Sequence, residues 1–282
     1  MATGLEPSWP IPSELKWQCV NGYPKAYRDA GSGTPIVLVH GLANDYRAWN
    51  AQFDAFSSTY RVIAVSLRHF YPERWDGIGS DFSIRQHAED VVALIEQLEL
   101  GKVHLVGHSR GGAVAVELAK LRPQVIRTLV LPDGSITMPV ADTADATEAA
   151  AFSITLLGTL QENLKRGDPT RAAEVFVDML SVPGAWRTLP EPVQEMILAN
   201  INTGLAGTDR PLTSCADVKK FDFPIMLLTG EKSPPRFEFF FNEMRKCKEI
   251  PASIVIPNAG HLMQRANPKA FNKAVLAFVS AH

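Results

Sequence analysis

Strands alternating with helices along most of the chain predict an α/β fold: a mostly parallel central sheet flanked by helices, with a helical cap inserted before its last strands. Three observations carry this. Short unbroken apolar runs, such as residues 36–39 (IVLV) and 103–106 (VHLV), suit strands buried on both faces. Helical periodicities lie between them. From about residue 136 to 215 the alternation stops, and Ala-rich, helix-like sequence takes over for a length that a loop in a compact domain does not reach.

Residues 16–29 read as two short strands broken at Asn21-Gly22, a dipeptide that favours a tight hairpin. Strands at 36–39, 61–66, 103–106, 126–131, 224–228 and 253–256 follow. Between them, residues 83–100 read as a helix whose Ser83 and Gln86 form a capping box, with apolar residues at Val91, Leu94, Ile95 and Leu98. Residues 113–121 form a second helix, stopped by Pro123, and 268–281 the last one. Helical patterns at 141–164, 171–180 and 192–201 build the cap. The expected division is a core of residues 1–135 and 217–282, with the cap at 136–216.

The 46% hydrophobic composition supplies a sizeable core. A net charge of −2 with both signs scattered gives no footprint for nucleic acid or for an anionic membrane. The N-terminal decapeptide has no basic stretch leading into an apolar one, so no secretion signal is expected. The three cysteines, Cys19, Cys215 and Cys247, have neither disulfide nor zinc spacing and suggest a reducing, cytoplasmic setting.

Gly107, His108, Ser109, Arg110 and Gly111 match G-x-S-x-G directly after an apolar strand and at the start of a helix. A serine on such a sharp turn needs small flanking residues, and the turn pushes its hydroxyl out of the sheet. The reading is a nucleophile elbow with Ser109 as nucleophile. His40 and Gly41 end the 36–39 strand, so the backbone N–H of Leu42, with that of Arg110, can form an oxyanion hole. His40 itself is read as structural. The base has to be another histidine. His261, on the loop between the last strand and the last helix, fits the chain order Ser, acid, His. His104 lies in a strand, His108 in the elbow, His69 and His87 at packing or surface positions, and His282 at the terminus.

These residues (His40-Gly41, the run from Gly107 to Gly112, and Ala259-Gly260-His261, in that order) make the chain resemble the α/β-hydrolase superfamily over roughly residues 15–281. The resemblance implies that fold with a cap, and a Ser-His-acid triad. It also raises a difficulty. In the commonest family layout the acid follows the strand before the last, and there the sequence Gly-Glu-Lys-Ser puts Ser233 where Asp is expected. Two carboxylates can substitute. Asp133 follows the 126–131 strand, where some family members carry the acid, and Glu231 lies two residues before the usual place. Asp133 is preferred, with Glu231 as the alternative; Asp133 also reads as an ordinary turn residue in Pro-Asp-Gly.

The expected chemistry is hydrolysis of an ester or lactone carbonyl through an acyl-enzyme, with no metal and no cofactor. Ser109 and Leu42 argue against dehalogenase or epoxide-hydrolase chemistry. Trp49, Phe152, Leu156 and Phe176, with Leu157, Leu160, Ile154, Met179, Leu180 and the 237–241 run, are candidates to line an apolar chamber for a medium-sized small-molecule substrate. Arg68 and Arg110 could meet a substrate carboxylate, or simply be solvated. Carbon–carbon bond hydrolysis of a ring-cleavage product and a catalytically silent ligand-binding role are the alternatives. Neither oligomeric state nor natural substrate is legible.

Overall fold

The computed structural model describes residues 11–206 and 209–282, so the N-terminal decapeptide, and the expectation that rests on it, lie outside the described residues. Among the described residues eight strands are formed: β1 (Leu15–Val20), β2 (Tyr23–Ala30), β3 (Pro35–Val39), β4 (Arg61–Val65), β5 (Val103–Gly107), β6 (Ile126–Pro132), β7 (Ile225–Gly230) and β8 (Ile254–Ile256). The helices are α1 (Asn50–Ser57), α2 (Ile84–Gln97), α3 (Arg110–Leu121), α4 (Ala144–Lys165), α5 (Pro169–Leu180), α6 (Ala185–Thr188), α7 (Glu191–Asn200), α8 (Cys215–Lys219), α9 (Arg236–Cys247), α10 (Met263–Ala266) and α11 (Pro268–Ser280). The sheet order is β1-β2-β4-β3-β5-β6-β7-β8. Only the β1–β2 and β2–β4 pairings are antiparallel; from β4 to β8 neighbouring strands run parallel.

The β1–β2 hairpin turns at Asn21 and Gly22, both at positive φ, as its right-handed twist requires. Further in, β3 and β5 are buried along their whole length because helices cover both faces. Their side chains alternate between two apolar layers. Val37 and Val39 pack with residues of α2 and α3, whereas Ile36 and Leu38 pack with α1 and α11. The register places Val39 of β3 beside Gly107 of β5, and Pro132 of β6 beside Leu228 of β7. Loops leaving these strand ends therefore meet at one edge of the sheet, where ligands bind in open α/β folds.

Between β6 and β7 stand the helices α4 to α7, a 3₁₀ turn at Ile201–Leu205, and α8. Ser83 caps α2 by accepting the Gln86 N–H, but the Gln86 side chain donates to Asp90 instead of returning to Ser83. The expected capping box is thus half formed. Among the described residues no helix is long and apolar enough to cross a membrane.

The cysteine reading needs correction. Cys215 opens α8 and Cys247 closes α9; their Cα atoms are 4.9 Å apart and they form a disulfide across 32 positions, while Cys19 is free. Packing α8 on α9 brings the pair together, and spacing in the chain does not reveal it. A bridge closing a loop of this length contributes about 3–4 kcal/mol by loop-entropy arithmetic. Urea unfolding with and without reductant should show an unfolding free energy lower by that amount when reduced, and Cys215→Ser should abolish the difference.

Candidate active site

The serine turn is built from close backbone approaches. Ser109 caps α3 at φ 53°, ψ −122°, outside the regions that L-residues favour. Its neighbours hold it there. The Ser109 N–H donates to the Pro132 carbonyl (3.2 Å), and its own carbonyl accepts from Gly112 (2.8 Å) and Ser135 (2.8 Å). A Cβ on Gly111 would sit 2.3 Å from the Val39 carbonyl, and one on Gly112 would sit 2.5 Å from the Gly134 Cα, so both glycines are required by contact.

His261 follows β8 and is buried. Its Nδ1 lies 3.0 Å from Oδ2 of Asp133, which leaves β6 at φ 40° and donates its own N–H to the Leu228 carbonyl of β7. The Phe237 ring stacks on the imidazole at 4.7 Å, with 14° between the planes. Ser233, at the expected acid position, points its hydroxyl at the same Asp133 oxygen (2.6 Å) while accepting the Gly230 N–H (3.0 Å). Glu231 is exposed and accepts the Asn258 N–H (2.7 Å), bracing the loop that leads to His261 instead of meeting its ring. Because β6 and β7 are parallel neighbours, a carboxylate at the end of either can reach one histidine. In this chain β6 supplies it and β7 supplies a hydroxyl donor.

Burial disfavours charge on both members of this pair. It raises Asp133 toward neutrality, against the opposing hydrogen bonds from Ser233 and Thr229, and it lowers His261, with the Arg236 charge adding to the effect. The imidazole is therefore neutral in the resting protein. One Asp133 oxygen, Oδ1, has no hydrogen-bond partner among the described residues.

His108, between Gly107 and Ser109, has a positioning role that sequence reasoning missed. Its Nε2–H donates to the His261 carbonyl (2.8 Å), tying the loop that carries the base to the residue beside the serine. His40 is structural, as read: its ring bridges the Gly41 carbonyl (2.8 Å) and the Leu67 N–H (3.0 Å). His104 bonds Thr128, and His69 sits between Glu73 and Asp81.

Ser109 lies in a cavity lined by Leu42, Arg110, Leu156, Phe176, Arg236 and Phe237, among others; a second, adjoining hollow is lined by both Ser109 and His261. Leu157 and Leu180 also line the first, whereas Leu160 is buried within the helical layer and Ile154 is exposed. The Leu42 N–H has no acceptor among the described residues, and Arg110, as first residue of α3, has none within its helix. Two expected lining residues do not belong there. Trp49 is fully buried against Phe271 and His108 on the α11 side of the sheet, and Phe152 faces an outer groove with Pro234 and Phe239. Arg68 is also excluded as a substrate contact, because Asp90 and Asp81 engage it. Arg236, unremarked in the sequence, takes a place in the cavity wall.

The sequence pattern of the alpha/beta hydrolase family matches residues 36–274. An uncharacterized protein of Mycobacterium tuberculosis is 34% identical over 130 residues, 46% of this chain and 38% of that protein, so the chain spans well under half of that relative's length. The (E)-2-((N-methylformamido)methylene)succinate hydrolase of Acinetobacter baylyi is 22% identical over 93% of this chain and 96% of its own length. Among solved structures, a thermophilic esterase from Thermogutta terrifontis superposes with a TM-score of 0.75 at 25% identity, covering 95% of this chain and 99% of the esterase.

The buried histidines set a pH dependence of stability. His40, His87, His104, His108 and His261 are all held below the usual imidazole range, chiefly by burial. The unfolded chain takes up these protons near pH 6.5 and the folded one does not, so their contribution is complete above pH 6.5 and is lost as pH falls. Each costs about 1.4 kcal/mol per pH unit below that point. Asp133, raised to about 7, has the opposite sign and offsets one of them. The melting temperature should therefore fall steadily between pH 6.5 and 4.5, and a flat profile would contradict the neutral-histidine assignment.

Proposed function

The chain belongs to the alpha/beta hydrolase family, and we propose that it is a serine hydrolase cleaving a carboxylic ester, open-chain or cyclic, through an acyl-enzyme. The observation that carries this reading is the 3.0 Å contact of His261 Nδ1 with the buried Asp133, on a histidine that shares a hollow with the strained Ser109. Asp133 holds the proton of His261 on Nδ1 and turns Nε2 toward the serine. Nε2 removes the Ser109 proton as Oγ attacks the carbonyl carbon. The developing oxyanion is met by the Leu42 and Arg110 N–H groups, which carry no competing acceptor. Collapse of the tetrahedral intermediate expels the alcohol, protonated by His261. Water, activated by the same ring, then releases the acid.

Apolar side chains from the inserted helices (Leu156, Leu157, Phe176 and Leu180) face Ser109 and form the substrate-facing side of the cavity. In this reading the helical layer acts as a cap that selects the acyl or alcohol group.

A fluorophosphonate probe followed by intact mass should label the wild type once and Ser109→Ala not at all. Glu231→Gln should label within twofold of the wild-type rate. Ser233→Ala, which strips a hydroxyl donor from a buried carboxylate, should slow labelling about tenfold, the scale of one hydrogen bond to a charged group. An unlabelled wild type would remove the serine-hydrolase reading and favour a ligand-binding protein.

A further inference from the structure

Arg236 is the first residue of α9 and only 7% exposed. Among the described residues its side chain makes no ion pair and no hydrogen bond, and its Nε is buried without a partner. The guanidinium lies over the rings of Phe237 (4.8 Å) and Phe240 (5.6 Å) and lines the cavity that holds Ser109. Arg210 lines the same cavity and likewise has no ion-pair or hydrogen-bond partner among the described residues. The two charges oppose one another: burial first, and the Arg210 charge second, bring the Arg236 pKa down to about 10 against the pull of Asp133.

The other charges in the wall do not answer them. Glu117 is committed to Arg85 and Lys120. Asp209 accepts the Ile84 N–H and stands 3.7 Å from Arg110. Among the described residues two cations thus face a largely apolar cavity without an ion-pair partner, Asp133 attracting Arg236 only from beyond ion-pair distance, and burying an unpaired charge costs several kcal/mol. A chain has no structural reason to keep that cost, since a methionine at 236 would stack on the same two rings.

We propose that Arg236, assisted by Arg210, is an anion subsite, and that the substrate carries a carboxylate in addition to its scissile ester. The planar guanidinium matches a carboxylate through two parallel hydrogen bonds, and its buried, unpartnered Nε is one of the donors that such a pair uses. The apolar side chains that line the same cavity, Leu156, Leu157, Phe176 and Leu180, suit the hydrocarbon that links the two functional groups. The inference rests on the ester-hydrolase reading for the identity of the reacting group, but the anion site itself does not.

The test has two arms. In the first, half-esters of dicarboxylic acids are compared with neutral esters of equal chain length, with the free carboxylate on the acyl side in one series and on the alcohol side in another. Wild type should favour the charged member of at least one series more than tenfold in kcat/KM. Arg236→Met should lower kcat/KM for that member at least tenfold more than for its neutral counterpart, mainly through KM, with Arg236→Lys in between. In the second arm, calorimetry on Ser109→Ala measures binding of monomethyl adipate against dimethyl adipate, with and without Arg236→Met. The half-ester should bind at least tenfold more weakly once the arginine is gone. Equal affinity of Ser109→Ala for charged and neutral esters, or equal losses for both substrates in Arg236→Met, would overturn the proposal and leave Arg236 as a modulator of the His261–Asp133 pair. If the wild type turned over no ester yet Ser109→Ala bound the half-ester through Arg236, the ester-hydrolase reading alone would fail.

Discussion

The carboxylate of Asp133 is fully buried, and the arrangement around Ser109 follows from how that group is satisfied. An isolated carboxylate inside a protein is costly unless donors surround it. Here one oxygen, Oδ2, accepts from the Ser233 hydroxyl and the His261 ring. Satisfying that carboxylate therefore fixes the orientation of the His261 ring. The same contact ties the end of β6 to the loops after β7 and β8, so three separate parts of the chain converge on one point.

The serine side of the site is held by sterics. Gly107, Gly111 and Gly112 let β3, β5, α3 and the turn after β6 approach until a single Cβ would collide with backbone. That closeness keeps Ser109 in a conformation it would not adopt alone, a strain on the order of 1–3 kcal/mol that the surrounding hydrogen bonds offset. His108 links the two halves. It is bonded covalently to Ser109 and by hydrogen bond to the main chain of His261, so Ser109 and His261 cannot drift apart without breaking a buried contact.

Much of this was legible in the sequence because it is encoded locally. Strands buried on both faces leave apolar runs, and the elbow leaves glycines at fixed offsets around Ser109. His261 could be found from chain order. The choice between Asp133 and Glu231 could not be made that way, because it depends on which strand end lies beside the His261 loop. Ser233 looked like a loss from the sequence, yet in three dimensions its hydroxyl donates to the Asp133 carboxylate that His261 also meets. Trp49 and Phe152 were misplaced because an aromatic residue serves a core as readily as a pocket. The Cys215–Cys247 bridge and the unpaired Arg236 escaped notice because each is defined by tertiary neighbours and leaves no local pattern.

The central claim is that the acid sits one strand earlier than usual and that the two strand ends are interchangeable around His261. Exchanging them tests it most directly: Asp133→Ser alone, then Asp133→Ser with Ser233→Asp, each followed by the rate of acyl transfer to a small activated ester. The account predicts a loss on the order of 10⁴ in the single variant, as for a removed triad acid, and recovery of a large part of it in the double variant. An Asp133→Ser protein that keeps the wild-type rate would contradict it.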